Sequence, residues 1–152
     1  MLSIVERVMI LKGASLFAQT PDDALAEVAA LLEEVDAGAG EMLFQKGDAG
    51  DCLFIIVSGC VRIHDGARTL NELGEGDAFG EMALLDPEPR IASATVTEQA
   101  RLLRLDGAPF FELIQARPEV SIGIIHMLTR RLRERVQDLS RLDAQIKALA
   151  GV

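Results

Sequence analysis

Between residues 41 and 105, short apolar runs alternate with glycine-aspartate punctuation, and this texture restricts the fold more than any other part of the chain. The runs EMLF, LFIIV, VRI, TLNEL, SATV and LLRL are separated by KGDAGD, SG, HDG and GEGD. Runs this short, bounded by turn residues, predict strands of a compact antiparallel structure. Gly-Asp occurs at Gly47-Asp48 and again at Gly76-Asp77, each near a second glycine. That spacing suits a roll or barrel of short strands better than an open sheet.

Both flanks carry helical periodicity. Residues 2 to 11 place apolar side chains at helical spacing. Thr20-Pro21-Asp22-Asp23 combines a hydroxyl N-cap, a proline at the first helical position and acids in the first turn. ALAEVAALLEEV is therefore expected as an amphipathic helix that ends before Gly38 and Gly40. Asp106 is the expected cap of a short helix through Gln115, and Pro118-Glu119 opens a longer one to about Leu149. Gly123 weakens its first turns by about 1 kcal/mol relative to Ala. Leu128, Leu132, Val136, Leu139, Leu142, Ile146 and Leu149 step along it by three or four, one continuous stripe. The expected arrangement is one α+β domain over 1–152 with no internal linker: helices to about 35, a β-roll over about 36–105, and helices over about 106–150.

Composition excludes several functions. No apolar run approaches the ~18 residues of a membrane helix. MLSIVERVMILKG carries Glu6 and Arg7 inside its apolar stretch, which favours an amphipathic helix over a signal peptide, and a cytoplasmic location is expected. A net charge of −9 argues against direct nucleic-acid binding. Cys52 and Cys60 lack metal-ligand spacing, and His64 and His126 stand alone, so all four read as structural. A metal-dependent β-barrel enzyme would need clustered His and carboxylate ligands, and no nucleophile–base pairing stands out either. A non-catalytic protein without a metal is expected.

The stretch FGEMALLDPEPRIASATV, residues 79 to 96, carries the chemistry. Gly80 lets a backbone approach a ligand closely. Met82-Ala83-Leu84-Leu85 can form one helical turn before the Asp86-Pro87-Glu88-Pro89 loop, with free N–H groups at its start. Arg90 can offer an anion a two-pronged charged donor. Glu81 would be repelled by a phosphate, so its partner should be a hydroxyl. A ligand bearing a phosphate and a sugar hydroxyl satisfies all of these groups. The plain alternative is a Glu81–Arg90 ion pair bracing the loop, worth about 0–1 kcal/mol if exposed.

This stretch resembles the phosphate-binding cassette of cyclic nucleotide-binding domains, the family of the bacterial catabolite activator protein and of cyclic-nucleotide-dependent kinase regulatory subunits. FQKGDAGDCLFIIVSGCVRI and LGEGDAFGE resemble the same family's turns and strands. The resemblance runs from the helix at Pro21 to the terminal helix. It implies an eight-stranded antiparallel, jelly-roll-like β-roll with N-terminal helices and a C-terminal helical lid. It further implies that Glu81 binds the ribose 2′-hydroxyl and Arg90 the cyclic phosphate, with backbone around Gly80, Met82, Ala83 and Ala92 completing the anion seat. Val61, Ile63 and Leu73 are candidates to line the ribose and base, or are plain core. Members favouring cyclic GMP, and some others, resemble each other in placing Ser or Thr directly after the arginine. Here that position is Ile91, so cyclic AMP is expected over cyclic GMP, and Ser93 is expected to face another way.

The family's last helix closes over the base. Residues 129 to 143 hold Arg130, Arg131, Arg133, Arg135 and Arg141 in an otherwise acidic chain. Arg131 and Arg135 share one face, and a guanidinium can stack on adenine for about 0.5–2 kcal/mol. They are the candidates for a base cap; the alternative is a solvated face balanced by Glu134 and Asp138. The apolar stripe packs on the β-roll or pairs with a second copy, with a stutter near Leu142 that opposes a long regular zipper. No DNA-reading segment is expected within this sequence after the terminal helix. The expected function is a cyclic AMP-sensing regulatory domain that signals through its C-terminal helix to an effector domain or partner outside this chain. A nucleotide-blind interaction or dimerisation module of the same fold is the alternative.

Overall fold

The computed structural model describes residues 1–151. Helix α1 (Ile4–Gly13) starts on a reciprocal cap: the Glu6 N–H donates to Ser3 Oγ, and the Ser3 N–H donates to the Glu6 carboxylate. A 3-10 turn (Ser15–Phe17) leads to α2 (Asp22–Leu31). The expected cap is displaced by one residue. Pro21 occupies the N-cap, while Thr20 is buried with its Oγ1 unpartnered.

Helix α2 ends at Leu31, well before Gly38. The EEV expected at its end belongs to strand β1 (Glu33–Ala37). There Glu33 and Asp36 pair with Arg104 and Arg101 of the neighbouring strand, and Ala37 turns into the core. Tertiary pairing overrides a helix-favouring local sequence here. The β region therefore begins at 33.

Five more strands follow: β2 (Met42–Phe44), β3 (Cys52–Asp65), β4 (Arg68–Leu73), β5 (Ala78–Phe79) and β6 (Ser93–Asp106). Helix α3 (Glu81–Leu85) lies between the last two. All pair antiparallel in one sheet of order β1-β6-β3-β4, with β2 also on β6 and β5 also on β3. The expected eight-stranded roll is thus corrected to six strands in a sheet that is not closed.

The reason lies in the two 14-residue strands. LFIIV and VRI are one strand, as are SATV and LLRL. The Ser58-Gly59 break is a series of bulges: register slips between Ile56 and Ser58, Ser58 and Cys60, and Cys60 and Val61. Bulges bend a strand without ending it. At Gly59 (φ 94°) a Cβ would sit 2.4 Å from the Gln99 carbonyl oxygen and 2.6 Å from Ala100 Cα, so only glycine permits this crossing.

Two apolar clusters divide along β3. Leu53 and Ile55 face the helices, among Phe17, Leu25 and Phe110; Phe54 and Ile56 face the interior of the sheet, with Phe79 and Leu102. The alternation is the strand's period of two. Helices α4 (Gly107–Ala116) and α5 (Pro118–Leu149) close the chain. At their junction Arg117 pairs with Asp23 and Glu27 of α2 and with Glu119, tying the root of α5 to the body. Its hydrogen bonds hold the Asp23 and Glu119 carboxyls below their usual range. Only Val120, Gly123, Ile124 and Met127 of α5 are buried, and everything from Leu132 to Ala150 is exposed.

Candidate functional site

Strand β5 ends on Phe79, and Gly80 in the left-handed conformation (φ 79°) turns the chain into α3. The loop after α3 is sewn to the Gly47-Asp48 turn. The Arg90 N–H donates to the Asp48 carbonyl and the Gly47 N–H to the Arg90 carbonyl, both at 2.8 Å. The Lys46 N–H donates to Ser93 Oγ at 2.8 Å, so Ser93 is buried and turned to that turn. One of the sequence's repeated Gly-Asp turns thus fixes where the Arg90 side chain starts.

Arg90 is 6% exposed. Nη1 donates to the Gly80 carbonyl at 3.2 Å and Nη2 to the Cys52 carbonyl at 2.9 Å, with Cys52 Sγ 3.4 Å away. Its Cζ lies 4.1 Å from the centroid of the Phe44 ring. Nε is buried and unpartnered. Two glycines make room: a Cβ on Gly50 would fall 2.2 Å from Nε, and one on Gly80 would fall 2.7 Å from Nη1. No carboxylate forms an ion pair with Arg90 among the described residues. A buried cation held by carbonyls and a π face, with no counter-charge, favours an anion beside it. Burial pushes the Cys52 thiol up, and the Arg90 charge opposes that rise.

Beside Arg90 opens a cavity of about 330 Å³. This falls in the usual range for small-molecule sites, about 300–1,000 Å³. Its lining includes Gly80, Glu81, Met82, Ala83, Arg90, Ile91 and Ala92, which the sequence singled out, together with Ile63. The first N–H groups of α3 have no partner within the helix. Ile91 is 71% exposed at the cavity, an apolar side chain where a hydroxyl would add a donor.

Glu81 does not pair with Arg90. Its Oε1 accepts from Arg131 Nη1 at 3.2 Å, and Arg131 also donates to Ser15 Oγ. Arg131 thus joins α5, the 3-10 turn and α3. In this structure it is the partner of Glu81 and lines no part of the cavity. Arg135 is separate: its side chain is 82% exposed and lies 3.7 Å from Asp138, the solvated-face arrangement. Val61 is fully buried in the core, and its cross-strand neighbour Leu73 packs against the same cluster; neither lines the cavity.

Phe44, Leu70, Phe79, Asp86, Glu88 and Pro89 also line it and were not singled out from the sequence. Asp86, Glu88 and Pro89 lay inside the quoted stretch but read only as loop residues. Leu70 had a weak signal, an exposed apolar side chain within a polar strand. Among the described residues no cluster of His, Cys, Asp or Glu could hold a metal ion, and no helix is long and apolar enough to cross a membrane.

Comparison with known proteins gives a consistent result. The family model of the cyclic nucleotide-binding domain matches residues 34–117. The chain is 36% identical over 138 residues to a CRP-like cAMP-activated global transcriptional regulator of Mycobacterium tuberculosis, covering 88% of this chain and 62% of that protein. It is 42% identical over 108 residues to the cyclic AMP receptor protein of Thermus thermophilus, covering 68% of this chain and 50% of that one. Among solved structures, the N-terminal domain of a transcriptional regulator from Streptomyces coelicolor superposes with a TM-score of 0.77 at 32% identity, covering 85% of this chain and 93% of that one. The chain therefore spans about half to three-fifths of the length of these two curated relatives.

Proposed function

The chain belongs to the cyclic nucleotide-binding domain family, and from that premise we propose that it is a single non-catalytic regulatory domain that senses cyclic AMP and signals through α5. The observation that carries the ligand is Arg90: a buried, uncompensated guanidinium at the wall of a nucleotide-sized cavity. A cyclic phosphodiester supplies the missing charge, with the Met82, Ala83 and Ala92 amides as further donors. Glu81 accepts from the ribose 2′-hydroxyl. Ile91 after Arg90 favours cyclic AMP over cyclic GMP, because it adds no hydroxyl to the site. Relatives named for cyclic AMP support the same choice. Calorimetric titration with cyclic AMP, cyclic GMP and 5′-AMP tests this. Tight binding of cyclic AMP alone is the expected result; no heat with any of the three sinks the reading in favour of a nucleotide-blind module.

The Arg131–Glu81 pair supplies a route to α5. A ribose hydroxyl donating to Glu81 competes with the Nη1 donor, so ligand and helix position become linked equilibria. The shift is bounded by what the pair is worth, and half-exposed pairs contribute about 0.2–1 kcal/mol. Arg131→Ala is expected to tighten cyclic AMP binding by up to about fivefold, the gain from freeing Glu81 at that energy. It should also remove the cyclic AMP dependence of amide exchange in residues 120–149. An α5 whose exchange still responds to ligand in this variant would place the coupling elsewhere.

The exposed stripe Leu132, Val136, Leu139, Leu142, Ile146 and Leu149 supports a homodimer through α5. Most of a helix's stability in proteins comes from packing its apolar face, and beyond Met127 no residue of α5 is buried. Paired with a second copy, the stripe is covered, with the step to Leu142 breaking strict heptad spacing. Val136→Glu with Leu139→Glu is expected to convert a dimer to a monomer in sedimentation velocity. An unchanged sedimentation coefficient would exclude this face. The output is then read by an effector domain or a partner protein.

A further inference from the structure

The titratable side chains lining the cavity are Glu81, Asp86, Glu88 and Arg90, three acids and one base. Glu81 is matched by Arg131 at 3.2 Å, and Arg90 is buried and uncompensated. Asp86 and Glu88 are exposed at the mouth, and neither enters an ion pair among the described residues. They sit on the loop that delivers Arg90, fixed by the Asp86 N–H to Met82 carbonyl bond at 2.9 Å and the Glu88 N–H to Asp86 carbonyl bond at 2.8 Å. Any anion that reaches Arg90 therefore shares the cavity with two carboxylates carried by the same short loop.

We infer that Asp86 and Glu88 set the charge selectivity of this cavity, admitting a phosphate with one negative charge and disfavouring one with two. The inference rests on reading the cavity as a cyclic-phosphodiester site, and it assigns a further property to that site. A phosphodiester carries one charge and neutralises Arg90 one for one. A phosphomonoester such as 5′-AMP, with a second pKa of about 6, carries almost two at neutral pH. The surplus charge meets no unpaired cation in the cavity, only the two rim carboxylates. Repulsion energy scales with the ligand's charge, so in free energy a dianion is penalised about twice as much as a monoanion. Selectivity of this kind comes from repelling the wrong ligand, without adding any contact to the right one.

Removing the rim charges should therefore help both ligands, but unequally. The gain for the dianion should be about the square of the gain for the monoanion. The experiment titrates wild type, Asp86→Asn, Glu88→Gln and the double variant with cyclic AMP, and measures 5′-AMP by displacement of bound cyclic AMP. Each is done at ~50 mM and at ~500 mM salt, where the screening length falls several-fold. In the double variant at low salt, cyclic AMP should bind about twofold to threefold tighter and 5′-AMP about fourfold to tenfold tighter. The difference should shrink at high salt. Both positions are exposed, so circular dichroism should be unchanged; the single variants, with smaller gains, serve if the double variant is not folded. No gain for 5′-AMP, a gain no larger than that for cyclic AMP, or gains indifferent to salt would overturn the assignment while leaving the site itself standing. Failure of wild type to bind cyclic AMP would overturn the site, and the rim's role with it.

Discussion

Arg90→Ala is expected to weaken cyclic AMP binding by about 2–5 kcal/mol, some 30- to several-thousand-fold, with the folded state retained. The size follows from burial. At 6% exposure the guanidinium acts on a phosphate with little water between them, where a charged hydrogen bond is worth more than at a surface. Removing it also leaves the Gly80 and Cys52 carbonyls without their donor and the Phe44 face without its cation. Arg90→Lys keeps the charge but not the fork, so its loss should be smaller and still clear. Calorimetry measures both. Far-UV circular dichroism controls for folding, because the chain has no Trp or Tyr to report by fluorescence. An unchanged affinity in Arg90→Ala would place the phosphate elsewhere.

Gly50→Ala should separate binding from stability. The added Cβ would lie 2.2 Å from Arg90 Nε, 2.7 Å from Cζ and 2.9 Å from Nη2. Those atoms are the far end of a flexible side chain, and the backbone at Gly50 has no positive φ. The methyl is therefore accommodated by moving the guanidinium out of its seat, at little cost to the fold. Cyclic AMP affinity is expected to fall at least about tenfold, because positioned charge is what the site offers, while the melting temperature moves by no more than a few degrees, the response to about 1 kcal/mol or less. Gly50 touches no ligand in this account; it is a positioning residue. Its signature is a loss of affinity without a loss of Tm. A variant that binds normally would mean that Arg90 tolerates displacement. A large fall in Tm would mean that Gly50 serves the fold instead.

Most of the secondary structure could be read locally. Pro118 opens α5, Asp106 precedes α4, and the Gly80-Glu81 step starts α3, each through signals within a few residues of the boundary. Errors arose where a distant strand decided. Glu33–Ala37 carries a helix-compatible sequence, but β6 lies alongside and takes it as β1. Ser58-Gly59 reads as a turn, but the crossing with Gln99 and Ala100 makes it a bulge inside one long strand. The site divided in the same way. Most residues of the Gly80–Ala92 segment line the cavity, so one short piece of chain supplies most of its wall. For Val61 and Leu73, strand alternation assigns a face without saying whether that face meets the cavity or the core, and both pack with the core.

The sequence by itself determined that Glu81 and Arg90 would belong to one short, small-residue segment after a strand, within a β structure flanked by helices. Contacts over short chain separations depend on few torsions, so local chemistry suffices to specify them. Only the tertiary structure decided what each charge would meet. Glu81 found Arg131, 50 residues along the chain, and Arg90 was buried against Phe44, Gly50 and Cys52 without a counter-ion. The partner of a charge is set by which side chains the fold brings within a few ångströms and by how much water the packing excludes. Both are sums over the whole molecule that no local window contains.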